Sequence, residues 1–236
     1  MNILLVGYGK MGKAIEPIAV GRGHRISGKI DLQNGEGFKD TTKADVAIEF
    51  TQPESAVDNI KRCLDLHIPV VVGTTGWYER YDEVAEYCKK KDGTVFYASN
   101  YSMGVNVFFK LNEYLAKLMN NYPEYEVSVD ETHHTQKKDS PSGTAITLAK
   151  SVLSNLGRKK EWVNHATNNP HELVINSFRV DPAPGTHVVT YHSEIDDIEI
   201  KHHAYSRKGF AQGAVLVAEW LPGRKGMFTM DDFLQF

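Results

Sequence analysis

The sequence has little cysteine, no long apolar run and no excess of positive charge. Its two cysteines, Cys63 and Cys88, lie in stretches with a helical pattern and form no Cys-x-x-Cys pair, which predicts two inert, reduced thiols. No run approaches the ~18 apolar residues that a membrane span needs. The formal net charge of -3 leaves the chain without the basic surface of a nucleic-acid binder. Neither a membrane nor a nucleic acid is therefore expected as a partner.

The start of the sequence lacks the features of an export signal. The apolar run from Ile3 to Val6 is too short for a signal-peptide core, and no basic residue precedes it. We therefore expect a cytoplasmic protein and interpret this run as a first buried strand. The composition, 41% hydrophobic and 24% charged, is that of a globular chain, and 236 residues suffice for one large domain or two modest ones.

The first hundred residues alternate short apolar runs with amphipathic stretches. They predict strands at Asn2–Val6, Arg25–Ile30, Val46–Phe50, Val70–Gly73 and Thr94–Ala98, with helices at Met11–Gly21, Ser55–Leu66 and Tyr78–Lys91. Several strands lack polar alternation, as expected for strands that are covered on both faces. This order predicts an α/β fold with a Rossmann-type, doubly wound parallel sheet. Pro17 conflicts with the first helix, which it should kink or deprive of a hydrogen bond.

The pattern changes after Asn100. It predicts helices at Asn106–Tyr122 and Ser142–Leu156, with strands at Glu124–Glu131, Leu173–Val180, His187–His192 and Glu199–Ala204. These elements indicate a smaller α+β domain with an open, mixed and largely antiparallel sheet. A last helix, Phe210–Leu221, is expected to rejoin the first domain. The predicted domains are therefore residues 1–104 with 210–236, for dinucleotide binding, and residues 105–209, for substrate binding and oligomerisation.

A glycine motif lies between the first predicted strand and the first helix. It consists of Gly7, Tyr8, Gly9, Lys10, Met11 and Gly12. In this context the first glycine permits a tight turn, the second lets the backbone approach a pyrophosphate at the helix N-terminus, and the third allows close packing. Asp31, at the end of the second strand, is placed to bind a ribose hydroxyl. The motif predicts a dinucleotide site, and the alternative is a glycine-rich turn without a ligand.

Two further segments follow predicted strands of the same sheet. Gly73, Thr74 and Thr75 follow the fourth strand, and Ala98, Ser99, Asn100 and Tyr101 follow the fifth. Ligands of open α/β sheets bind beyond the carboxyl ends of the strands, so both segments are candidates for contacts with the nicotinamide half of the cofactor. Ordinary turn chemistry is the alternative for each.

The segment from Glu131 to Ala145 has the highest density of chemically active side chains. His133, His134, Lys137 and Lys138 follow a predicted strand, and a helix start comes next. Ser140 and Pro141 suit the cap and the first position of that helix, and Gly143 and Thr144 offer unpaired N–H groups to an anion. Histidine is the usual proton donor or acceptor near neutral pH. We therefore expect a pocket in which a carboxylate substrate gains a proton.

Metal binding is a second interpretation of these histidines. Neither His133–His134 nor His202–His203 has a helical i, i+4 partner or a nearby cysteine. No metal site is therefore predicted.

The order of short motifs along the chain resembles the dihydrodipicolinate reductase (4-hydroxy-tetrahydrodipicolinate reductase) family. In the first domain these motifs are Gly-x-Gly-x-Met-Gly from Gly7, Glu-Phe-Thr-x-Pro-Glu from Glu49, Gly-Thr-Thr-Gly from Gly73 and Asn-Tyr-Ser-x-Gly-Val-Asn from Asn100. They continue with His-His-x-x-Lys from His133, Pro-Ser-Gly-Thr-Ala from Pro141 and Ser-Arg-x-x-Phe-Ala-x-Gly-Ala from Ser206. They span almost the whole chain, and the central pair is the most specific.

This resemblance implies the reduction of 4-hydroxy-tetrahydrodipicolinate to tetrahydrodipicolinate in diaminopimelate and lysine biosynthesis, with NADH and/or NADPH. It implies that His133 is the general acid/base and Lys137 a proton donor or electrostatic partner. His134 and the amides of Gly143 and Thr144 would hold the carboxylates of the small dicarboxylate substrate. A homotetramer, assembled through the open sheet of the second domain, is also implied.

The sequence departs from the family pattern in two ways. The connection between Asp31 and Val46 is compressed, and Leu32 stands where many relatives carry an arginine after the acidic residue. The second departure argues against a strong preference for NADPH. Two other functions remain open at this point: another dicarboxylate or amino-acid dehydrogenase of this fold, such as an aspartate dehydrogenase, and a non-catalytic dinucleotide-binding sensor.

Overall fold

The computed structural model describes residues 1–31, 44–206 and 208–235. The chain divides into two compact units, Met1–Met103 with Lys208–Phe236, and Gly104–Arg207. The polypeptide therefore leaves the first unit once and returns to it after the second. No helix among the described residues is both long and apolar enough to cross a membrane.

The first unit contains a six-stranded sheet in which every pairing is parallel. Its strands are β1 (Asn2–Val6), β2 (Arg25–Ile30), β3 (Val46–Glu49), β4 (Val70–Val72), β5 (Thr94–Tyr97) and β11 (Gly226–Phe228), in the spatial order β11-β5-β4-β3-β1-β2. Its helices are α1 (Lys10–Gly21), α2 (Pro53–Asp65), α3 (Tyr81–Lys90), α6 (Lys208–Trp220) and α7 (Met230–Leu234), with a 3₁₀ turn at Tyr78–Arg80.

Alternate side chains of β1 enter two different apolar cores. Ile3 and Leu5 pack with residues of α1 and α6 on one face, and Leu4 and Val6 pack with residues of α2 and α3 on the other. All four are fully buried, which explains why this strand shows no polar alternation. The predicted doubly wound parallel sheet is confirmed, and its parallel strands bring their carboxyl ends to one edge.

Helix α1 runs through Pro17 without interruption. Proline cannot donate the hydrogen bond that the carbonyl of Lys13 would otherwise accept. Pro17 is exposed, so this carbonyl lies on the side of the helix where water can replace the missing donor. The expected conflict is therefore resolved by the position of Pro17 on the solvent face.

The second unit contains a five-stranded sheet with the order β10-β9-β6-β8-β7. The strands are β6 (Glu126–His133), β7 (Glu161–Val163), β8 (Glu172–Arg179), β9 (Thr186–His192) and β10 (Asp197–His203), and the helices are α4 (Met103–Met119) and α5 (Gly143–Asn155). Strand β9 pairs antiparallel with β6 and β10, whereas β8 pairs parallel with β6 and β7. The sheet is mixed as predicted, and two of its four strand pairings are antiparallel.

The start of α5 also differs from the prediction. The helix begins at Gly143, and its N-cap is Ser142, whose hydroxyl accepts a hydrogen bond from the amide of Ala145. Ser140 does not cap the helix, and Pro141 lies before its first turn instead of in it. Ser140 and Pro141 fit the usual pattern of an N-cap followed by a first helical residue. The helix nevertheless starts at Gly143, which makes Ser142 the N-cap.

Candidate active site

The three glycines of the first motif differ in what surrounds them. Gly7 has a positive φ of 95°, and a Cβ at this position would overlap the carbonyl oxygen of Phe50. A Cβ on Gly12 would likewise overlap the carbonyl oxygen of Gly7, whereas Gly9 faces open space with no atom within 4 Å. The first and third glycines are therefore required by packing, and the second opens the N-terminus of α1 to a ligand. This arrangement fits a pyrophosphate and argues against a ligand-free turn.

Beyond Gly9 lies a cleft of about 610 Å³ at the carboxyl ends of β1, β2 and β3. Four of the predicted cofactor residues line it, namely Gly7, Tyr8, Gly9 and Asp31. The rest of the lining comes from the last residues of β1 and β2, the loop that follows β3 and one side of α2, including Phe50, Thr51, Asn59 and Arg62. The volume and the mixed polar and apolar lining suit a nucleotide. These last residues carry no assigned role in the sequence analysis.

The other predicted cofactor residues do not line this cleft. Lys10, Met11 and Gly12 form the first turn of α1. The segment 73–75 directly follows β4, and Ala98, Ser99, Asn100 and Tyr101 follow β5, at the same edge of the sheet. Among them, Thr75 and Ser99 are exposed. These positions agree with contacts to a second part of a long ligand.

Tyr101 and Thr74 make contacts within the first unit. The buried Tyr101 donates its hydroxyl proton to the carbonyl of Val72, at 2.7 Å. Burial raises the pKa of Tyr101 well above its usual value, so its hydroxyl stays neutral. The Thr74 hydroxyl accepts from the amide of Thr51, at 2.7 Å. Both side chains therefore fix the loops at this edge of the sheet.

In the second unit, β6 alternates between buried and partly or fully exposed positions along its whole length. This alternation brings Glu131 and His133 onto the buried face, beyond the apolar residues Val127 and Val129. Glu131 is completely buried and His133 is 7% exposed. A carboxylate and an imidazole thus occupy the last two positions of an otherwise apolar strand face, where they require partners.

Glu131 finds these partners on three elements. Its Oε1 accepts from Arg179 Nη2 at 3.0 Å and from the amide of Ser142 at 3.1 Å. Its Oε2 lies 3.1 Å from Nδ1 of His133. Burial alone would raise the pKa of Glu131, but its interactions with His133, Ser142, Ser177 and Arg179 together hold that pKa well below its usual range. Glu131 is therefore a buried carboxylate anion.

His187 completes this cluster from β9. It lies opposite Glu131 in the strand register, and its ring centre is 5.0 Å from that of His133. Its Nε2 is 3.1 Å from the hydroxyl of Ser142 and 3.8 Å from Oε2 of Glu131. Burial, helped by the charges of His133 and Lys137, lowers the pKa of His187 to about 4. We call Glu131, His133 and His187 the Glu-His cluster.

The N-terminus of α5 lies beside the Glu-His cluster, because Ser142 contacts both Glu131 and His187. The next two amides, those of Gly143 and Thr144, have no acceptor within the described part of the chain. They point out of the first turn of a helix of 13 residues, where an anion is favoured. The predicted carboxylate donors are thus close to the predicted acid/base residue.

His134 and Lys137 lie on the loop that follows β6. The Lys137 ammonium contacts the carboxylate of Asp139 at 2.7 Å, and the Asp139 carbonyl accepts from Arg179 at 2.7 Å. The charge of Lys137 contributes, after burial and the charge of His133, to the lowered pKa of His187. His134 lies near Asp181, whose pKa is lowered mainly by hydrogen bonds from Thr135 and also by the charge of His134. Arg179 therefore connects this loop to Glu131.

Sequence reasoning missed Glu131, Ser142, Arg179 and His187 as members of the site. For Glu131 a signal existed, since residues two apart on a strand share a face. Arg179 and His187 come from β8 and β9, and only the strand register brings them to β6. No spacing in the sequence specifies that register.

Comparison with known protein families matches both halves of the chain. The family model described as dihydrodipicolinate reductase, N-terminus, matches residues 1–101, and the one described as dihydrodipicolinate reductase, C-terminus, matches residues 104–234. A curated relative, the 4-hydroxy-tetrahydrodipicolinate reductase of Christiangramia forsetii, is 49% identical over 234 residues, covering 99% of this chain and 98% of the relative.

Solved structures show the same fold at low sequence identity. The dipicolinate-bound dihydrodipicolinate reductase from Paenisporosarcina sp. TG-14 has a TM-score of 0.77 at 20% identity and covers 97% of both chains. An amine dehydrogenase from Mycobacterium smegmatis has a TM-score of 0.59 at 10% identity, with 98% of this chain and 95% of that chain covered. The fold is thus shared with other dehydrogenases, but the family models cover nearly all of this chain, which belongs to the dihydrodipicolinate reductase family.

Proposed function

We propose that this chain is a nicotinamide-dependent oxidoreductase that reduces 4-hydroxy-tetrahydrodipicolinate to tetrahydrodipicolinate in diaminopimelate and lysine biosynthesis. The observation that carries the proposal is the 49% identity to a 4-hydroxy-tetrahydrodipicolinate reductase over 99% of the chain. The substrate is a small dicarboxylate, and the product forms by loss of water, hydride transfer and uptake of a proton. Membership of this reductase family argues against both the aspartate dehydrogenase and the silent sensor.

The cleft of the first unit supports binding of the dinucleotide. Gly9 leaves open space at the N-terminus of α1, Asp31 lines the ribose end, and Thr51 and Arg62 provide further polar groups. A bound NADH or NADPH would supply the hydride. Gly7, Tyr8, Gly9, Lys10, Met11, Gly12 and Asp31 are the proposed contacts of the adenosine and pyrophosphate part. Gly73, Thr74, Thr75, Ala98, Ser99, Asn100 and Tyr101 are proposed for the nicotinamide part.

His133 is the proposed general acid/base. Its Nδ1 faces the Glu131 carboxylate at 3.1 Å, and its Nε2 lies on the side of Gly185. A carboxylate beside Nδ1 favours the ring orientation in which Nε2 exchanges the proton. Lys137 adds a positive charge for the carboxylates and for negative charge that develops on the ring.

The carboxylates of the substrate are proposed to bind at the start of α5. The Gly143 and Thr144 amides and the positive end of the helix dipole provide donors that need no side-chain rearrangement. His134, on the adjacent loop, is the proposed third donor. The Glu131 carboxylate also lies near this helix start, but Arg179 balances its charge through a contact of 3.0 Å.

Three finer assignments rest on the same proposal. We infer that NADH serves at least as well as NADPH, since Asp31 favours ribose hydroxyls and Leu32 and Gln33, which lie outside the described residues, carry no charge. We place the reaction in the cytoplasm, where NADH and NADPH are maintained, in agreement with the two buried free thiols. A homotetramer is proposed because residues such as Asn176, Phe178 and His192 lie exposed on the sheet face that faces away from the apolar cluster of α4 and α5.

The decisive experiment follows NADH oxidation in the presence of freshly generated 4-hydroxy-tetrahydrodipicolinate. We expect turnover with this substrate, and none with oxaloacetate plus ammonia, which would serve an aspartate dehydrogenase. Absence of turnover with both NADH and NADPH, while either nucleotide binds, would overturn the proposal. Light scattering on the same preparation tests the tetramer independently.

A further inference from the structure

The Glu-His cluster has the composition and the dimensions of a transition-metal site. One ligand atom from each of Glu131, His133 and His187 lies within 4.8 Å of the other two, and all three residues are buried. Oε2 of Glu131 is 3.1 Å from Nδ1 of His133 and 3.8 Å from Nε2 of His187. Ligand atoms on a tetrahedral zinc ion are about 3.4 Å apart, given bonds of about 2.1 Å. Displacements of a few tenths of an ångström would bring these pairs to that spacing.

The direction of the polar atoms separates a metal site from a simple hydrogen-bonded cluster. Although Oε2 of Glu131 and Nδ1 of His133 are close, neither has a partner with hydrogen-bond geometry among the described residues. The imidazole N–H is thus poorly aimed at the carboxylate. Two buried polar atoms without a well-directed partner are costly, and a cation placed between them would satisfy both.

The surroundings also suit a metal-bound carboxylate. Oε1 of Glu131 accepts from Arg179 and from the amide of Ser142, which leaves Oε2 directed toward the histidines. Ligating carboxylates are commonly held in this way by donors that do not touch the metal. Ser142, whose hydroxyl is 3.1 Å from Nε2 of His187, would have to give up that contact when the histidine binds an ion.

We propose that Glu131, His133 and His187 form a binding site for a divalent transition-metal ion of the zinc class, and that the ion inhibits the enzyme. Two imidazoles and one carboxylate select zinc, cobalt or copper over magnesium and calcium, which prefer oxygen ligands. Metal binding stands apart from the proposed function. Inhibition rests on that function, because the ion would occupy the nitrogen of His133 that faces Glu131 and so disturb proton transfer at the ring.

Cobalt(II) is the direct probe. Titration of the metal-free full chain should produce visible d–d absorption bands of a four-coordinate N/O site, with one ion per chain, and excess Zn²⁺ should abolish them. His187→Asn and Glu131→Gln should each weaken Co²⁺ binding by roughly 10- to 100-fold or more. His192→Asn is the matched control, because His192 also contacts a carboxylate, that of Asp197, but is exposed.

The outcomes are distinct. Absence of the bands in the folded wild-type chain, or bands that persist in His187→Asn and vanish in His192→Asn, would overturn the metal site. If Glu131→Gln fails to fold, as circular dichroism would reveal, the His187→Asn comparison still decides.

Zn²⁺ should lower turnover of the wild type at the concentrations at which it displaces Co²⁺. Full activity of the zinc-loaded enzyme would overturn the inhibition while leaving the site in place, and an inactive protein that still binds Co²⁺ would contradict only the proposed function.

Discussion

Glu131 and His187 lie directly opposite each other on neighbouring antiparallel strands, with Nε2 of His187 3.8 Å from Oε2 of Glu131. The carboxylate is an anion, yet burial keeps the histidine neutral at pH values where a free histidine is charged. Polar contacts keep Glu131 deprotonated, whereas desolvation keeps His187 deprotonated.

This pair predicts a loss of stability in acid. His187 has a pKa of about 4 in the folded protein, against an ordinary value of 6.5. Between these values the unfolded chain binds a proton that the folded chain does not, so the free energy of unfolding falls as the pH drops from 6.5 to 4. The contribution of neutral His187 to the free energy of unfolding is fully present above pH 6.5 and amounts to about 3 kcal/mol at most.

Denaturant unfolding of the wild type and His187→Asn at pH 7, 5.5 and 4.5 tests this prediction. The decline in unfolding free energy should be shallower in the variant, because asparagine does not titrate. Equal declines in the two proteins would mean that His187 does not contribute.

The proposed catalytic role of His133 predicts a selective loss of turnover. His133→Ala should lower kcat by roughly 10²- to 10⁴-fold, the contribution of a general acid/base. Binding of NADH, measured by fluorescence, should stay within about twofold of the wild type, because the dinucleotide cleft lies in the other unit. Near-normal turnover in folded His133→Ala would remove this residue from the mechanism, and His165→Ala serves as the control for an exposed histidine.

Gly7 and Gly9 should respond differently to the same substitution. Gly7→Ala forces a Cβ against the Phe50 carbonyl at a φ of 95°, so it should lower the free energy of unfolding by about 2 kcal/mol or more. Gly9→Ala should leave stability almost unchanged, because its Cβ meets no atom within 4 Å, but should weaken NADH binding about tenfold or more. Thermal unfolding and nucleotide titration of both variants provide the comparison, which an NADH affinity of the wild-type level in Gly9→Ala would contradict.

Cofactor preference should change with the residue at position 32. Leu32→Arg would add a cation beside the acidic Asp31, where it can bind the 2′-phosphate of NADPH. The ratio of kcat/KM for NADPH over NADH should rise by an amount equivalent to ~1.5–3 kcal/mol, as for a charge-assisted hydrogen bond. A wild-type ratio that already favours NADPH by roughly tenfold, about 1.4 kcal/mol, would show that another cation performs this task.

Lys29 is a candidate for a cation that binds the 2′-phosphate, but it forms an ion pair with Glu16. Its ammonium lies 2.7 Å from a Glu16 carboxylate oxygen, 3.1 Å from the Tyr8 hydroxyl and 4.3 Å from the centre of the Tyr8 ring. Glu16→Gln should loosen this arrangement and raise the NADPH/NADH ratio about 3- to 10-fold at low salt, less at moderate salt, because the pair is partly exposed. Adding Lys29→Met should remove the gain. A gain that persists in the double variant would rule out Lys29 as its source.

The sequence was most informative where periodicity and burial agree. The apolar run of β1 and the glycine motif that follows it specify a parallel sheet and its ligand-binding edge. Strands β7 and β11 escaped prediction because each has only three residues and, unlike the equally short β4, neither is a fully buried run of β-branched residues. The start of α5 was misassigned because two serines surround Pro141, and only the packing of Ser142 against Glu131 distinguishes them.

The limits of prediction from the sequence are clearest at the candidate active site. His133 and Lys137 could be proposed from the sequence because they lie in one short motif, whereas Arg179 and His187 reach Glu131 only through pairings of β6 with β8 and β9. Register depends on the total packing of a sheet face, which no short motif encodes. The anionic state of Glu131 and the neutral state of His187 are consequences of that register.

Strand β11 is the last strand of the first unit to be synthesised. It pairs with β5 through Gly226, Met227 and Phe228, and β5 has left the ribosome long before, since the entire second unit is made in between. Until then, β5 is the edge strand and exposes to other nascent chains the backbone groups that β11 later pairs. Translation that stops after the second unit would thus release a chain in which the apolar β5 remains the edge strand, a form suited to chaperone capture or aggregation.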